Sequence, residues 1–94
     1  MSMVHKRIIV TGLVQGVGFR YFAVMQARKL GVAGWVCNRR DGSVEADVQG
    51  SRESVEDFVL AMRQGPRWAE VEQVKITDMA VDNGMPSSFS VHAD

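Results

Sequence analysis

The alternation of apolar and polar residues divides the first part of the chain into two strands and a helix. A β-branched run predicts a strand over residues 6–13, and residues 1–5 are expected to form a loose lead-in. Residues 19–30 carry apolar side chains at spacings of three and four, which predicts a helix, and Gly31 is a typical helix stop. A second strand is predicted over residues 32–38.

A hairpin and a half-buried strand are predicted next. Asp41-Gly42 is a common hairpin turn sequence. Apolar residues then alternate with Glu45, Asp47 and Gln49, so one face of the strand is apolar and the other polar. The hairpin requires that the strands on its two sides pair antiparallel.

The last part of the chain predicts a helix and two strands. Ser51 is a good N-cap, an apolar stripe follows at helical spacing, and Gly65-Pro66 ends the helix. A strand is predicted over residues 71–79, in which Val71 is out of phase with the other apolar residues and indicates a bulge or an early turn. A short last strand is predicted over residues 89–91.

The order of these elements is β-α-β-β-α-β with a short C-terminal strand. Two amphipathic helices each need an apolar surface to cover, and the hairpin favours antiparallel pairing. We therefore expect one α+β domain over residues 1–94. The expected architecture is a ferredoxin-like α/β sandwich, with an antiparallel sheet and both helices on one face.

Composition and charge exclude several classes of function. The chain is 46% hydrophobic and 23% charged with a formal net charge of zero, which argues against a broad nucleic-acid or anionic-membrane surface. The single cysteine, Cys37, cannot form an internal disulfide or a Cys-rich zinc site. His5 and His92 show no ligand spacing and are expected at the surface. The first apolar run is too short for a signal peptide, so a cytoplasmic location is expected.

The stretch GLVQGVGFRY, residues 12–21, carries the most distinctive chemistry. It departs from the dinucleotide fingerprint at Tyr21 and from the Walker A motif at Phe19-Arg20. A third interpretation is a loop whose glycines turn several amides toward an anion at the start of a helix. Arg20 in the first helical turn favours that interpretation, since a cation is poorly placed there without an anion. A plain tight turn with Arg20 in solvent is the alternative.

Two segments resemble the signatures of the acylphosphatase family. GLVQGVGFR is similar to the family pattern G-x-V-Q-G-V-x-F-R, and GVAGWVCNRRDGSVE, residues 31–45, is similar to a second family signature. The resemblance extends from about residue 6 to residue 91. It implies the ferredoxin-like fold and an enzyme that hydrolyses acyl phosphates to a carboxylate and inorganic phosphate.

The resemblance also implies which residues form the site. Arg20 is implied as the catalytic arginine and Asn38 as the residue that positions the attacking water. The phosphate would be bound by Arg20 and by the backbone of Gln15, Gly16, Val17, Gly18 and Phe19. No metal, cofactor or phosphoenzyme is implied. The expected partner is a small acyl phosphate, with no nucleic acid or membrane, and the expected state is a monomer.

Elementary chemistry is consistent with so small a set of residues. A carboxylate leaving group has a pKa of about 4 to 5 and needs no general acid. Phosphoryl transfer requires mainly positioning and charge stabilisation. Arg39 stands where many family members have a small polar residue, and it can either add positive field near the site or point to solvent.

Two other functions remain open at this level. Ferredoxin-like domains also bind small ligands or RNA, and fold alone does not decide function. RNA recognition on such a sheet requires outward aromatic residues, whereas the predicted third strand, SVEADVQ, has none and carries two acids. The second of these functions is that of an acylphosphatase-like domain in a maturation enzyme that uses carbamoyl phosphate. The short chain argues against it.

Overall fold

Seven elements follow the predicted order in the computed structural model, which describes residues 2–93. They are β1 (Met3–Leu13), α1 (Phe19–Leu30), β2 (Ala33–Asn38), β3 (Val44–Ser51), α2 (Arg52–Gln64), β4 (Glu70–Met79) and β5 (Phe89–Val91). Helix α1 spans the residues expected from the sequence. The expected loose lead-in is wrong from Met3 onward, because Met3 to His5 pair with the last three residues of β3. The backbone hydrogen bonds of that pairing are the reason the strand starts early.

The five strands form one sheet in the order β4-β1-β3-β2-β5. The pairs β4–β1, β1–β3 and β3–β2 are antiparallel, as expected, but β5 is parallel to β2, so the sheet is mixed. The expected ferredoxin-like α+β architecture is confirmed, and the expected antiparallel pairing fails only at β5. The reason is the path of residues 80–88, which lead from β4 at one edge to β5 at the other. Strand β5 starts at the end of the sheet where β4 stops, and so points the same way as β2.

Both helices cover one face of the sheet. Helix α1 contacts β2 and β5, and α2 contacts β1, β3 and β4. Ser51 caps α2 as expected, because its hydroxyl accepts a hydrogen bond from the Ser54 amide at 3.2 Å. The fully buried side chains between the layers include Ile8, Val10, Phe19, Val36, Val44, Val48, Val55, Phe58 and Met62. Burial of one such side chain stabilises the fold by about 1.5–3 kcal/mol.

The opposite face of the sheet carries a chain of ion pairs. The Arg7 guanidinium donates to the Asp47 carboxylate at 2.8 Å and to Glu45 at 3.1 Å. The prediction that His5 lies at the surface is wrong, because it is only 8% exposed. Its two ring nitrogens lie 2.7 Å from the Ala80 carbonyl oxygen and 2.6 Å from Asp47. These partners satisfy the imidazole where burial removes it from water.

The predicted bulge lies where β4 pairs with the end of β1. Thr11 pairs with Gln73 and Gly12 with Val71, so one residue of β4 is left over between the two pairs. Gly12 has φ +124°, and a Cβ placed there would stand 2.1 Å from the Glu70 carbonyl oxygen. The bulge is therefore confirmed, and it depends on glycine at this position.

Candidate active site

The fold brings two chain segments to the same end of the sheet. Strands β1 and β2 are both antiparallel to β3, which lies between them. They therefore run in the same direction, and their C-terminal residues lie at the same end of the sheet. The glycine loop, residues 14–18, follows β1 and leads into α1, while Asn38 is the last residue of β2. This topology is why residues far apart in sequence line one cleft.

The cleft has a volume of about 590 Å³. Five of the residues predicted from the sequence line it: Gly16, Gly18, Phe19, Arg20 and Asn38. The other lining residues are Val14, Tyr21, Val24, Arg28 and Val91. Two of the predicted residues lie beside it instead. Val17 packs against the hydrophobic core, and the Gln15 side chain is directed at the turn after Asn38.

The glycine loop exposes its backbone. Gly16 and Gly18 have φ values of +74° and +80°, and no atom lies within 4 Å of where a Cβ would stand at either residue. Glycine is needed here because of the left-handed backbone conformation rather than because of limited space. Such turns orient consecutive amides toward one point, which suits an anion.

The start of α1 is electrostatically positive. Gly18 is its N-cap and supplies no side chain to the first turn, and no acidic residue lies in that turn. The first helical hydrogen bond runs from the Phe22 amide to the Gly18 carbonyl at 3.0 Å. The preceding amides of a helix have no intrahelical partner, and the helix dipole adds positive potential at this end. The Arg20 side chain adds a full positive charge within the same turn.

Gln15 connects the glycine loop to the β2–β3 turn. Its side-chain amide donates to the carbonyl oxygens of Arg39 at 2.7 Å and of Ser43 at 2.8 Å. Arg39 directly follows Asn38, so these two bonds hold the end of β2 against the loop. This role of the Gln15 side chain was not expected from the sequence, because the resemblance assigned Gln15 only through its backbone. No local pattern indicates bonds that span 24 and 28 residues.

The β2–β3 turn has its own internal bonds. The Arg39 amide donates to the Ser43 carbonyl at 2.9 Å, and the Gly42 amide donates to the Arg39 carbonyl at 3.2 Å. The hydroxyl and amide of Ser43 donate to the Asp41 carboxylate, and these bonds lower the pKa of Asp41. The Arg39 guanidinium lies 3.5 Å from Glu45 and does not line the cleft. The sequence left two roles open for Arg39. The ion pair with Glu45 directs its side chain away from the site, which favours the role in which Arg39 points to solvent.

Metal-binding groups, membrane-spanning helices and the charges of the cleft limit what else the described residues can do. Within residues 2–93, no three His, Cys, Asp or Glu side chains are grouped closely enough to hold one metal ion. In the same residues, no helix has the length and apolar character needed to cross a membrane. Among residues 2–93, the charged residues that line the cleft are Arg20 and Arg28, both cations.

Comparison with known proteins gives consistent results. A sequence model of the acylphosphatase family matches residues 6–91. The chain is 54% identical over 90 residues to the acylphosphatase of Bifidobacterium longum, which covers 96% of this chain and 93% of that protein. It is 51% identical over 76 residues to the acylphosphatase of Moorella thermoacetica, covering 81% and 82% of the two chains. The crystal structure of the Bacillus subtilis acylphosphatase matches with a TM-score of 0.90 and 42% identity, over 95% of this chain and 98% of that one.

Proposed function

The chain belongs to the acylphosphatase family and is an acyl phosphate hydrolase, and from this premise we propose that the cleft between the glycine loop and the end of β2 is its active site. Because the chain belongs to this family of hydrolases, we do not retain the alternative of a non-catalytic ligand-binding or RNA-binding module. The observation that carries the proposal is that Arg20, the glycine loop and Asn38 line one cleft. The two segments that the family signatures single out are neighbours in this cleft.

The glycine loop and the start of α1 bind the phosphoryl group. The amides of Gln15, Gly16, Val17, Gly18 and Phe19 are the donors in this proposal. Support comes from the left-handed conformations of Gly16 and Gly18 and from the uncapped start of α1. A dianionic phosphoryl group supplies the acceptors that the first amides of the helix lack.

Arg20 stabilises the charge that builds on the phosphoryl oxygens as the reaction proceeds. Its planar guanidinium donates to two of these oxygens at once. Because this charge spreads over three equatorial oxygens in the transition state, donors around them lower the barrier. The location of Arg20 at the positive end of a helix is favourable once a dianion is bound there.

Asn38 positions the attacking water through its side-chain amide. The water oxygen forms a bond to phosphorus as the bond from phosphorus to the acyl oxygen breaks, and the electron pair of that bond leaves with the carboxylate. The proton of the water passes to a phosphoryl oxygen of the substrate, so no protein base is required. A carboxylate is a good leaving group, so no protein acid is required either. The products are a carboxylate and inorganic phosphate.

Several finer properties belong to the same proposal. The reaction is independent of metal ions and cofactors, because the chemistry above requires none. The protein works as a monomer in the cytoplasm, with neither nucleic acid nor membrane as a partner. The neutral net charge supports the absence of a nucleic-acid surface.

The test is hydrolysis of benzoyl phosphate in EDTA by the wild type, Arg20→Ala and Asn38→Ala. We expect activity in the wild type without added metal. Removal of a transition-state arginine typically costs about 10³–10⁵-fold in kcat, and misplacement of the water about 10²-fold. Circular dichroism must show that both variants remain folded.

The outcomes separate the parts of the proposal. Full activity of folded Arg20→Ala would refute the site assignment. Activity that appears only with added divalent metal would refute the metal-independent mechanism. Arg39→Ala is the matched control, since Arg39 is an arginine next to Asn38 that does not line the cleft. Its activity should stay close to that of the wild type.

A further inference from the structure

The cleft continues beyond the proposed phosphoryl site along the surface of α1. Arg20, Val24 and Arg28 are spaced four residues apart and line it together, as expected for one face of a helix. Val24 is 8% exposed and lies about one helical turn from each of the two arginines. Tyr21 and Val91 line the same cleft and are 72% and 48% exposed, so an aromatic ring and an aliphatic side chain are accessible to a bound group.

The charged residues that line this extension, among those that the structure describes, are cations. Arg20 and Arg28 line the cleft, and among its described lining residues there is no acid. Within residues 2–93, the ion pairs of the protein do not include Arg28. The phosphoryl group of the substrate accounts for Arg20 and the glycine loop. The positive charge of Arg28 remains available for a second anionic group.

The spacing of the two arginines sets the size of a suitable substrate. Eight residues of α-helix correspond to an axial rise of about 12 Å between the two Cα atoms. Both side chains lean toward the start of the helix, Arg20 over the glycine loop and Arg28 over the turn that contains Val24. A group that reaches Arg28 must therefore stand several bonds away from the phosphorus atom, beyond an apolar segment that rests on Val24 and Tyr21.

We propose that Arg28 forms an acyl-group subsite that favours acyl phosphates with a carboxylate at the far end of an apolar acyl group. The planar guanidinium matches the two oxygens of such a carboxylate. This inference rests on the proposed function, because it takes the phosphoryl site at Arg20 as the fixed end of the substrate.

Lys29 provides the matched control. Both Arg28 and Lys29 are basic residues in the last turn of α1, where either complements the helix dipole. Only Arg28 lines the cleft. An effect of overall charge or of the dipole appears in both variants, whereas an effect of the subsite appears only when Arg28 is changed.

The experiment compares benzoyl phosphate with 4-carboxybenzoyl phosphate. The ratio of kcat/KM for the two substrates is measured for the wild type, Arg28→Ala and Lys29→Ala. Comparing this ratio between variants cancels the intrinsic difference in reactivity between the two substrates. We expect Arg28→Ala to lower the preference for the carboxylated substrate about three- to tenfold, as for one partly exposed charged contact. The change should lie mainly in KM. Lys29→Ala should keep the wild-type ratio.

Failure of this inference differs from failure of the proposed function. An Arg28→Ala ratio equal to that of the wild type overturns the subsite. An equal fall in Lys29→Ala also overturns it, because the effect is then one of overall charge. In both cases the wild type still hydrolyses benzoyl phosphate. Loss of the proposed function would instead appear as wild-type protein that hydrolyses neither substrate.

Discussion

Replacing Gln15 with alanine tests how the two halves of the site are held together. The change removes two hydrogen bonds, each with a net contribution of about 0.5–1.5 kcal/mol. Both acceptors keep another bond, since the Arg39 carbonyl accepts from Gly42 and the Ser43 carbonyl accepts from Arg39. We therefore expect a loss of about 1–2 kcal/mol in the free energy of unfolding. In a domain of this size, each kcal/mol lowers the melting temperature by about 4–8 °C.

The larger effect of Gln15→Ala should be on catalysis. Without the two bonds, the end of β2 is free to shift relative to the glycine loop, and Asn38 shifts with it. A displacement of about 1 Å in a positioning group can cost about 10²-fold in rate. We expect kcat to fall about 10- to 100-fold. Competitive inhibition by inorganic phosphate should change little, because the loop amides and Arg20 are retained.

Gln49→Ala is the control for this experiment. The Gln49 side chain also makes two bonds to backbone, donating to the Asp82 carbonyl at 2.9 Å and accepting from the Asp82 amide at 2.7 Å. It lies near the other end of β3, where it pairs with Ala33 rather than with the end of β2. Gln49→Ala should lose similar stability and keep kcat. Wild-type kcat in Gln15→Ala, or equal losses of kcat in the two variants, would refute the positioning role.

Two further predictions concern the stability of the fold. Gly34→Ala places a Cβ 1.7 Å from a carbonyl oxygen of β3 at φ +140°, so we expect a loss above about 4 kcal/mol in urea unfolding. Gly31→Ala, with φ +71° and open space, should lose only about 1–2 kcal/mol, and equal losses would contradict the steric argument. Asp41 should titrate below its ordinary pKa in NMR, so its stabilising contribution is present above that ordinary value and is lost as pH falls through the folded-state pKa. Ser43→Ala should raise the pKa of Asp41, and an unchanged titration midpoint would exclude the hydroxyl as its main cause.

Local signals predicted most of the secondary structure. Helix α1 starts after Gly18 and stops at Gly31, both in the left-handed conformation that glycine favours. The side chain of Ser51 caps α2, and the phase change at Val71 marks a true bulge. Each of these features depends on residues close together in sequence, which is why a pattern in the sequence is sufficient to find them.

The errors concern interactions between residues distant in sequence. The burial of His5 depends on partners 42 and 75 residues away. The parallel pairing of β5 follows from the route of the chain around the end of the sheet, and a three-residue strand carries no signal for its direction. The Gln15 contacts belong to the same class, because they require the β2–β3 turn to lie against the glycine loop.

The candidate site came from resemblance more than from local chemistry. The sequence alone left the glycine loop between an anion cradle and a plain turn, and the family signatures were needed to select Arg20 and Asn38. The fold adds a physical reason why Arg20 and Asn38 belong to one site, since β1 and β2 stop at the same end of the sheet. The acyl-group end of the cleft had no sequence signal, because Arg28 resembles any basic residue in a last helical turn.

The central claim is that the site holds a phosphoryl group and directs water to its phosphorus atom. Hydrolysis of benzoyl phosphate by the wild-type protein in ¹⁸O-labelled water tests this claim most directly. Mass spectrometry of both products should locate the solvent oxygen in inorganic phosphate, with none in benzoate. Label in benzoate would mean that water attacks the acyl carbon, which would contradict the roles given to the glycine loop, Arg20 and Asn38.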